Sequence, residues 1–200
     1  MRRFLLISLL ALLATAALAG DLERQLSPAA LQPILAQLQK STHRHFAIID
    51  YSLRSDQPRF RVYRRQSQQL IASFRVAHGR GSDIEHDGYA KLFSDATGSH
   101  ASSLGLFRTA QVYASEEPGH GRSMRLIGLS DSNRNAERRA IVIHANHYME
   151  QAFIGRHGLP GRSHGCLVFA ARDRDAVLEL LQGGALIFAI RQNGQALARQ

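Results

Sequence analysis

Apolar side chains recur at helical spacing between residues 21 and 40. Leu22, Leu26, Leu31, Leu35 and Leu38 share one face of a helix. Ser27-Pro28 predicts a helix start, with a hydroxyl at the cap and a proline whose φ suits the first turn. Pro33 lacks the N–H that an interior helical position donates and would kink a helix running through it, so the boundary stays open at this stage. From residue 45 onward the pattern shifts to that of strands. His45–Tyr51, Arg59–Arg65, Gln69–Ala77, Leu104–Ala114, Ser123–Leu129, Arg139–Ala145, Cys166–Ala170 and Ala185–Ile190 are rich in β-branched and aromatic residues, and several alternate in polarity. Phe60 and Val62 alternate with arginines after the polar turn SDQP, as in a half-buried strand, whereas RAIVIHA is nearly continuous in apolar character, as in a fully buried one. Asp173–Leu181 predicts a short helix with Val177, Leu178 and Leu181 inward, ended by Gly183-Gly184. Residues 79–105 are rich in glycine and serine and read as loops, since strands continue on both sides. No internal repeat is found. The expected fold is mostly β, a single sandwich or barrel-like domain with a few peripheral helices.

The first residues follow a different rule. Arg2 and Arg3 precede an apolar run, Phe4–Leu13, and Ala17-Leu18-Ala19 then places small residues where a signal peptidase reads them. This predicts a secretory signal peptide over residues 1–19, cleaved after Ala19. The run is short for an anchoring transmembrane helix, and no later stretch is apolar for long enough to span a bilayer. The remaining chain divides into a helical segment (20–44), a strand-rich domain (45–190) and a tail (191–200). It is long enough for a real core without disulfides. A periplasmic or secreted location follows from the leader.

Composition narrows the chemistry. The net charge is +9, or about +7 once Arg2 and Arg3 leave. The excess is nearly all arginine, Lys40 and Lys91 being the only lysines. No basic run interleaves with aromatics and no nucleic-acid motif occurs, so anionic wall polymers or carboxylate-bearing substrates are the expected partners; a solvated arginine-rich surface accounts for the charge equally well. Cys166 is the single cysteine. In an exported chain a lone thiol is either a small buried hydrophobe or a nucleophile. It lies in the stretch GRSHGCLVFA, residues 161–170. Gly165 removes bulk beside the sulfur, so backbone N–H groups at Gly165 and Cys166 are expected to face an oxyanion. Two histidines compete as the base: His164 is close in sequence, and His144 ends an apolar strand. Spacing alone does not choose between them.

IVIHANHY followed by GRSHGCLVF resembles the active-site region of the L,D-transpeptidase (YkuD-type) family, in its murein L,D-transpeptidase catalytic domain branch. IIDYSLRSDQPRFRVY, VAHGRGS, LFSDATGSHASSLGLFRT, RLIGLSDSNRNAERRAIVIHA and LLQGGALIFAI extend the likeness over residues 45–190. The resemblance implies a β-rich catalytic fold and a cysteine acyltransferase acting on peptidoglycan stem peptides, with no cofactor. It implies Cys166 as nucleophile, His144 as general base, Gly165 and Cys166 as oxyanion donors, and Ser163 and His164 as residues shaping the loop. Water as acceptor would make the enzyme an L,D-carboxypeptidase, and opened cross-links would make it an endopeptidase; a non-catalytic wall-binding protein is the further alternative. There are 18 residues between His144 and Ser163, slightly more than is usual in the family. Many members carry arginine or asparagine after the cysteine, where this chain has Leu167. Arg139 and Arg162 are the expected substitutes for carboxylate contacts. His78, in HGRGS, is placed near the substrate groove by the likeness, and Ser102 and Ser103 offer hydroxyls to a peptide. The ten histidines do not cluster with carboxylates as zinc ligands do, so no metal is expected. Nothing in the sequence bears on oligomeric state.

Overall fold

The computed structural model describes residues 21–192. The predicted signal peptide and most of the predicted tail lie outside the described residues. Eight strands form one sheet: β1 (His45–Asp50), β2 (Phe60–Arg64), β3 (Leu70–Phe74), β4 (Gly105–Ala114), β5 (Arg122–Gly128), β6 (Val142–Ala145), β7 (Leu167–Phe169) and β8 (Leu186–Ile190). Their order is β3-β2-β1-β8-β4-β5-β6-β7. Two neighbours, β1/β8 and β6/β7, are parallel, and the rest are antiparallel. Beyond the end of β3 the chain reaches the opposite edge: Ala77 N–H donates to Val168 O at 2.9 Å, and Gly79 bridges Ser163. The sheet therefore curls into a nearly closed barrel, which leaves little edge for unwanted pairing. Mostly β with peripheral helices is the architecture expected from the strand pattern, and all eight predicted segments contain a strand.

Alternation along the strands builds two cores. Ala47 and Ile49 of β1 and Ile187 and Ala189 of β8 point to the inner face, with Phe60, Phe107, Leu126, Ile143, Leu167 and Phe169. Helix α4 (Ala171–Leu181) adds Val177, Leu178 and Leu181 to this cluster. Phe46, Ile48, Leu186 and Phe188 point outward and are covered by α1 (Asp21–Gln25) and α2 (Pro28–Lys40) through Leu22, Leu26, Leu31, Ile34 and Leu38. Each such side chain, fully buried, contributes about 1.5–3 kcal/mol. This packing explains why α2 runs through Pro33. Ser27 caps the helix by accepting from Ala30 N–H at 3.4 Å, Pro28 fills the first turn, and the buried face offsets the hydrogen bond lost inside.

Two local expectations are corrected, and one helix is added that the sequence did not predict. Only Val142–Ala145 of the predicted strand Arg139–Ala145 is extended. Arg139 N–H bonds Asn135 O (2.8 Å), Ile141 N–H bonds Ala136 O (2.9 Å), and Ala140 sits at φ 53°, so this part is a turn. Helix α4 begins two residues before the predicted Asp173, because Glu150 Oε1, remote in sequence, accepts from Ala171 N–H at 2.8 Å and caps it. Helix α3 (Gln151–His157) carries too few apolar residues for a periodic signal.

Candidate active site

The site is built where β6 and β7 run side by side. His144 on β6 pairs with Val168 on β7, two residues beyond Cys166. Ile143, Leu167 and Phe169 face the inner core, so by strand alternation His144, Val168 and Cys166 share the outer face. Strands roughly 4.8 Å apart, offset by two residues of roughly 3.3 Å rise, set the Cα atoms of His144 and Cys166 about 8 Å apart as diagonal neighbours. The outer face is lined by Ala77, Met149 and Val168, with Tyr148, Cys166 and Ala170 partly buried against them.

His144 is only 4 % exposed. Its Nδ1 lies 2.8 Å from Ala145 O, which makes Nδ1 the donor and leaves the Nε2 lone pair free. Burial holds the ring well below its ordinary titration range, at about 4, with the Ala145 contact opposing and His120 and Arg174 adding to the depression. Cys166 is partly exposed and its Sγ donates to Ala140 O at 3.5 Å. Burial pushes the thiol up from its usual value, while Val142 N–H and the Arg139 charge pull the other way. The resting pair is a neutral thiol and a neutral imidazole.

The other residues singled out in the sequence divide between the loop frame and its rim. Ser163 Oγ accepts from Gly165 N–H (3.0 Å) and donates to Cys166 O (2.8 Å), closing the loop upon itself. The Gly165 N–H is therefore engaged, which corrects the expectation that it faces an oxyanion. Gly165 is required for another reason. Its φ is +113°, and a Cβ there would lie 2.8 Å from Ala101 O, 2.9 Å from Ile141 Cδ1 and 3.0 Å from Arg139 Nη2. His164 is exposed and lies against His100, with ring centroids 4.4 Å apart, away from the face shared by His144 and Cys166. Arg139 is turned into the protein: it donates to Ser94 O (2.8 Å), Ser103 Oγ (2.7 Å) and Ala101 O (2.6 Å), and contacts Asp95 Oδ1 at 3.4 Å. This placement corrects its expected role as a substrate contact, since its donors are already engaged. Ser102 and Ser103 are likewise buried ties, Ser102 accepting from Gly79 N–H at 3.0 Å and Ser103 donating to Ser94 O at 3.1 Å. Arg162 donates to Asp83 O but stays partly exposed beside the thiol loop.

His78 lies beneath the loop, not on a groove surface. It is 1 % exposed and links two buried charged side chains. Arg59 Nη2 donates to His78 Nδ1 at 2.8 Å, and His78 Nε2 donates to Asp83 Oδ2 at 3.1 Å. Arg59 also binds Val76 O and Leu53 O, and Asp83 accepts from the N–H groups of Asp87 and Gly88 at 3.0 Å each. The network holds up the active loop from behind, because His78 O accepts from Ser163 N–H at 2.9 Å and Arg80 N–H donates to Ser163 O at 2.8 Å. Burial, then the Arg59 charge, depresses His78 to about 4. Sequence reading missed Arg59, Asp83, His120, Tyr148 and Arg174. Arginine in a predicted strand looked like a surface residue, and the remaining four stand in loops or on a helix without any short-range pattern.

Both buried histidines resist protonation in the folded chain, whereas the unfolded chain takes up protons near the ordinary value of about 6.5. Stability from these two sites is therefore full above about pH 6.5 and is lost as pH falls toward about 4. The loss is on the order of a few kcal/mol. Urea unfolding midpoints measured from pH 7.5 to pH 4 are expected to fall steadily through that window, and to fall less in His78→Asn.

Among the described residues no helix is long and apolar enough to cross a membrane, and no three His, Cys, Asp or Glu side chains converge as metal ligands would.

The family model for the L,D-transpeptidase catalytic domain matches residues 21–190, and the chain belongs to that family. The match takes in the two N-terminal helices packed on the sheet. No curated protein matches the chain in sequence. Among solved structures it is similar to Bdellovibrio bacteriovorus Bd1075 at 15% identity and a TM-score of 0.47, covering 74% of this chain and 48% of that one. An L,D-transpeptidase from Xylanimonas cellulosilytica matches at 12% identity and 0.44, covering 76% and 62%. One from Stackebrandtia nassauensis matches at 13% and 0.43, covering 88% and 70%. The chain thus spans about half of the first of these and about three fifths of the second.

Proposed function

We propose that this chain is an exported cysteine acyltransferase that acts on peptidoglycan stem peptides. The observation carrying this reading is the shared outer face of β6 and β7, where His144, fixed through Nδ1 to Ala145 O, flanks Cys166. Fixing Nδ1–H leaves Nε2 as the only position on the ring able to take a proton. When a peptide carbonyl enters, the Cys166 S–H leaves Ala140 O and its proton passes to Nε2. The sulfur electron pair bonds to the carbonyl carbon of the residue at the third position of the stem peptide. The oxygen of the tetrahedral intermediate is met by the Cys166 backbone N–H, with Gly165 leaving room beside it. Collapse breaks the bond to the terminal D-alanine, and the proton on Nε2 passes to the departing amine. The thioester is then taken by an amine of a second stem, which gives its proton back to His144 and regenerates the thiol.

Because both partners rest neutral, catalysis here runs by general-base transfer as substrate binds, and not from a standing thiolate–imidazolium pair. Arg139 supports the site without touching substrate, as a buried cation that favours the thiolate. Arg162, partly exposed, supplies the fork for a stem carboxylate.

The test is digestion of purified sacculi followed by mass analysis of the muropeptides. New 3→3 dimers are expected. Tripeptides alone would move the assignment to a carboxypeptidase and opened cross-links to an endopeptidase. Retained pelleting on sacculi with no change in product would reduce it to a wall-binding protein.

A further inference from the structure

The base has a neighbour that neither the sequence motif nor the family match assigns. The ring of His120 lies flat on that of His144, with centroids 3.6 Å apart and planes 24° apart. We infer that His120 is a positioning residue for the proposed base: it covers one face of the His144 ring, holds Nε2 in the plane of attack and keeps water off it. This rests on the reading of His144 as the base.

The placement is built from three directions. His120 stands in the turn between β4 and β5, flanked by Gly119 at φ +81° and Gly121 at φ +61°. Its carbonyl oxygen accepts from Arg174 Nη1 at 2.7 Å and from Ala145 N–H, next to the base, at 3.3 Å. Arg174, nearly buried on α4, also donates to Arg122 O at 2.6 Å, so one guanidinium holds the backbone on both sides of Gly121. A Cβ at Gly121, where φ is +61°, would lie 3.0 Å from that guanidinium, so glycine suits this close approach of the turn. A surface histidine would not need such anchoring.

The stack has a chemical consequence. Two imidazolium rings face to face repel one another, and a ring laid over one face of His144 keeps water from solvating its charged form. His144 can therefore carry the transferred proton only while His120 is neutral. The charged groups around His120 are Arg174 and Asp175 of α4 and Glu117 and Arg122 flanking the turn, and the titratable one is His144 on β6. Burial, opposed by Glu117, holds His120 below its ordinary titration value. Both rings are thus held below the ordinary imidazole value, which favours the neutral stack near neutral pH.

The test compares His120→Ala, His120→Gln and His120→Phe in the full chain, with thermal unfolding recorded for each. Imidazole NMR titration of His144 is independent of activity. In His120→Ala the His144 midpoint is expected to move from about 4 toward the ordinary value of about 6.5, while the flat ring in His120→Phe keeps it low. D-Alanine release from a stem tetrapeptide is expected to fall by about tenfold to a hundredfold in His120→Ala and to stay within about threefold in His120→Phe. An unmoved His144 titration in a folded His120→Ala or His120→Gln protein would overturn the inference, as would His120→Phe behaving like His120→Ala. If the wild-type chain releases no D-alanine, the proposed function fails, while the titration still decides the role of His120.

Discussion

Cys166→Ala is expected to fold as the wild type does and to leave the muropeptide profile of sacculi identical to that of an untreated control. The expected loss is total, because alanine lacks the sulfur that forms the acyl bond in the proposed reaction. Cys166→Ser is expected to fall by at least about a thousandfold. A hydroxyl is far less acidic than a thiol, and a base titrating near 4 is poorly suited to deprotonate it. Intact-protein mass spectrometry with a stem tetrapeptide gives a direct readout. The wild type should gain the mass of the acyl fragment, a mass that Cys166→Ala cannot gain. An acyl adduct surviving in Cys166→Ala would remove the thiol from the mechanism.

The second large effect is on stability. Asp83→Ala is expected to lower the unfolding free energy by about 3–5 kcal/mol, because it removes one of the carboxylates that offset the fully buried Arg59 charge and leaves His78 Nε2–H and the Asp87 and Gly88 N–H groups without their acceptor. For a domain of this size that is a fall in Tm of about 10 °C. Arg59 is well placed to be costly: it is held down to about 10 by burial, so it remains a cation at neutral pH. Glu85→Ala provides the contrast. It removes an exposed carboxylate paired with Lys91 and is expected to change stability by less than about 1 kcal/mol. Equal effects from the two substitutions would mean that the network beneath the loop carries no special energy. Scanning calorimetry separates these outcomes.

Strands were legible in the sequence because their apolar faces must be buried: alternation at period two shows directly in Phe60-Arg61-Val62, and the unbroken apolar run Phe46-Ala47-Ile48-Ile49 marks a strand buried on both faces. The helix over α2 was legible for the same reason at period 3.6, although Pro33 argued locally against it. The thiol, the strand-borne histidine and the glycine beside the sulfur were also visible, since each is a residue type with few other uses at its position. Contacts that join distant segments were not visible. Ser102, Ser103 and Arg139 looked like groups offered to a peptide, and only the folded chain shows Arg139 bonded to Ser103 and Ser102 bonded to Gly79 N–H. Gly165 was marked as a place where backbone must come close, yet the direction of its N–H depends on a serine side chain two residues away. His120 carried no signal at all, because its importance comes from an arginine 54 residues later in the chain. The protonation state of the thiol, set by burial, was equally beyond reach.

The path from Val76 to Ser82 meets the thiol loop at the junction of the two sheet edges, through Ala77 with Val168 and Gly79 with Ser163. The seam that brings the two sheet edges together is thus also the one that shapes the loop carrying Cys166. A fluctuation that unzips it is expected to release the Cys166 loop before the two large hydrophobic clusters open. The amide protons of Ala77 and Ser163 should then exchange with solvent in concert, and a ligand seated on the loop should slow both, even though neither proton touches it.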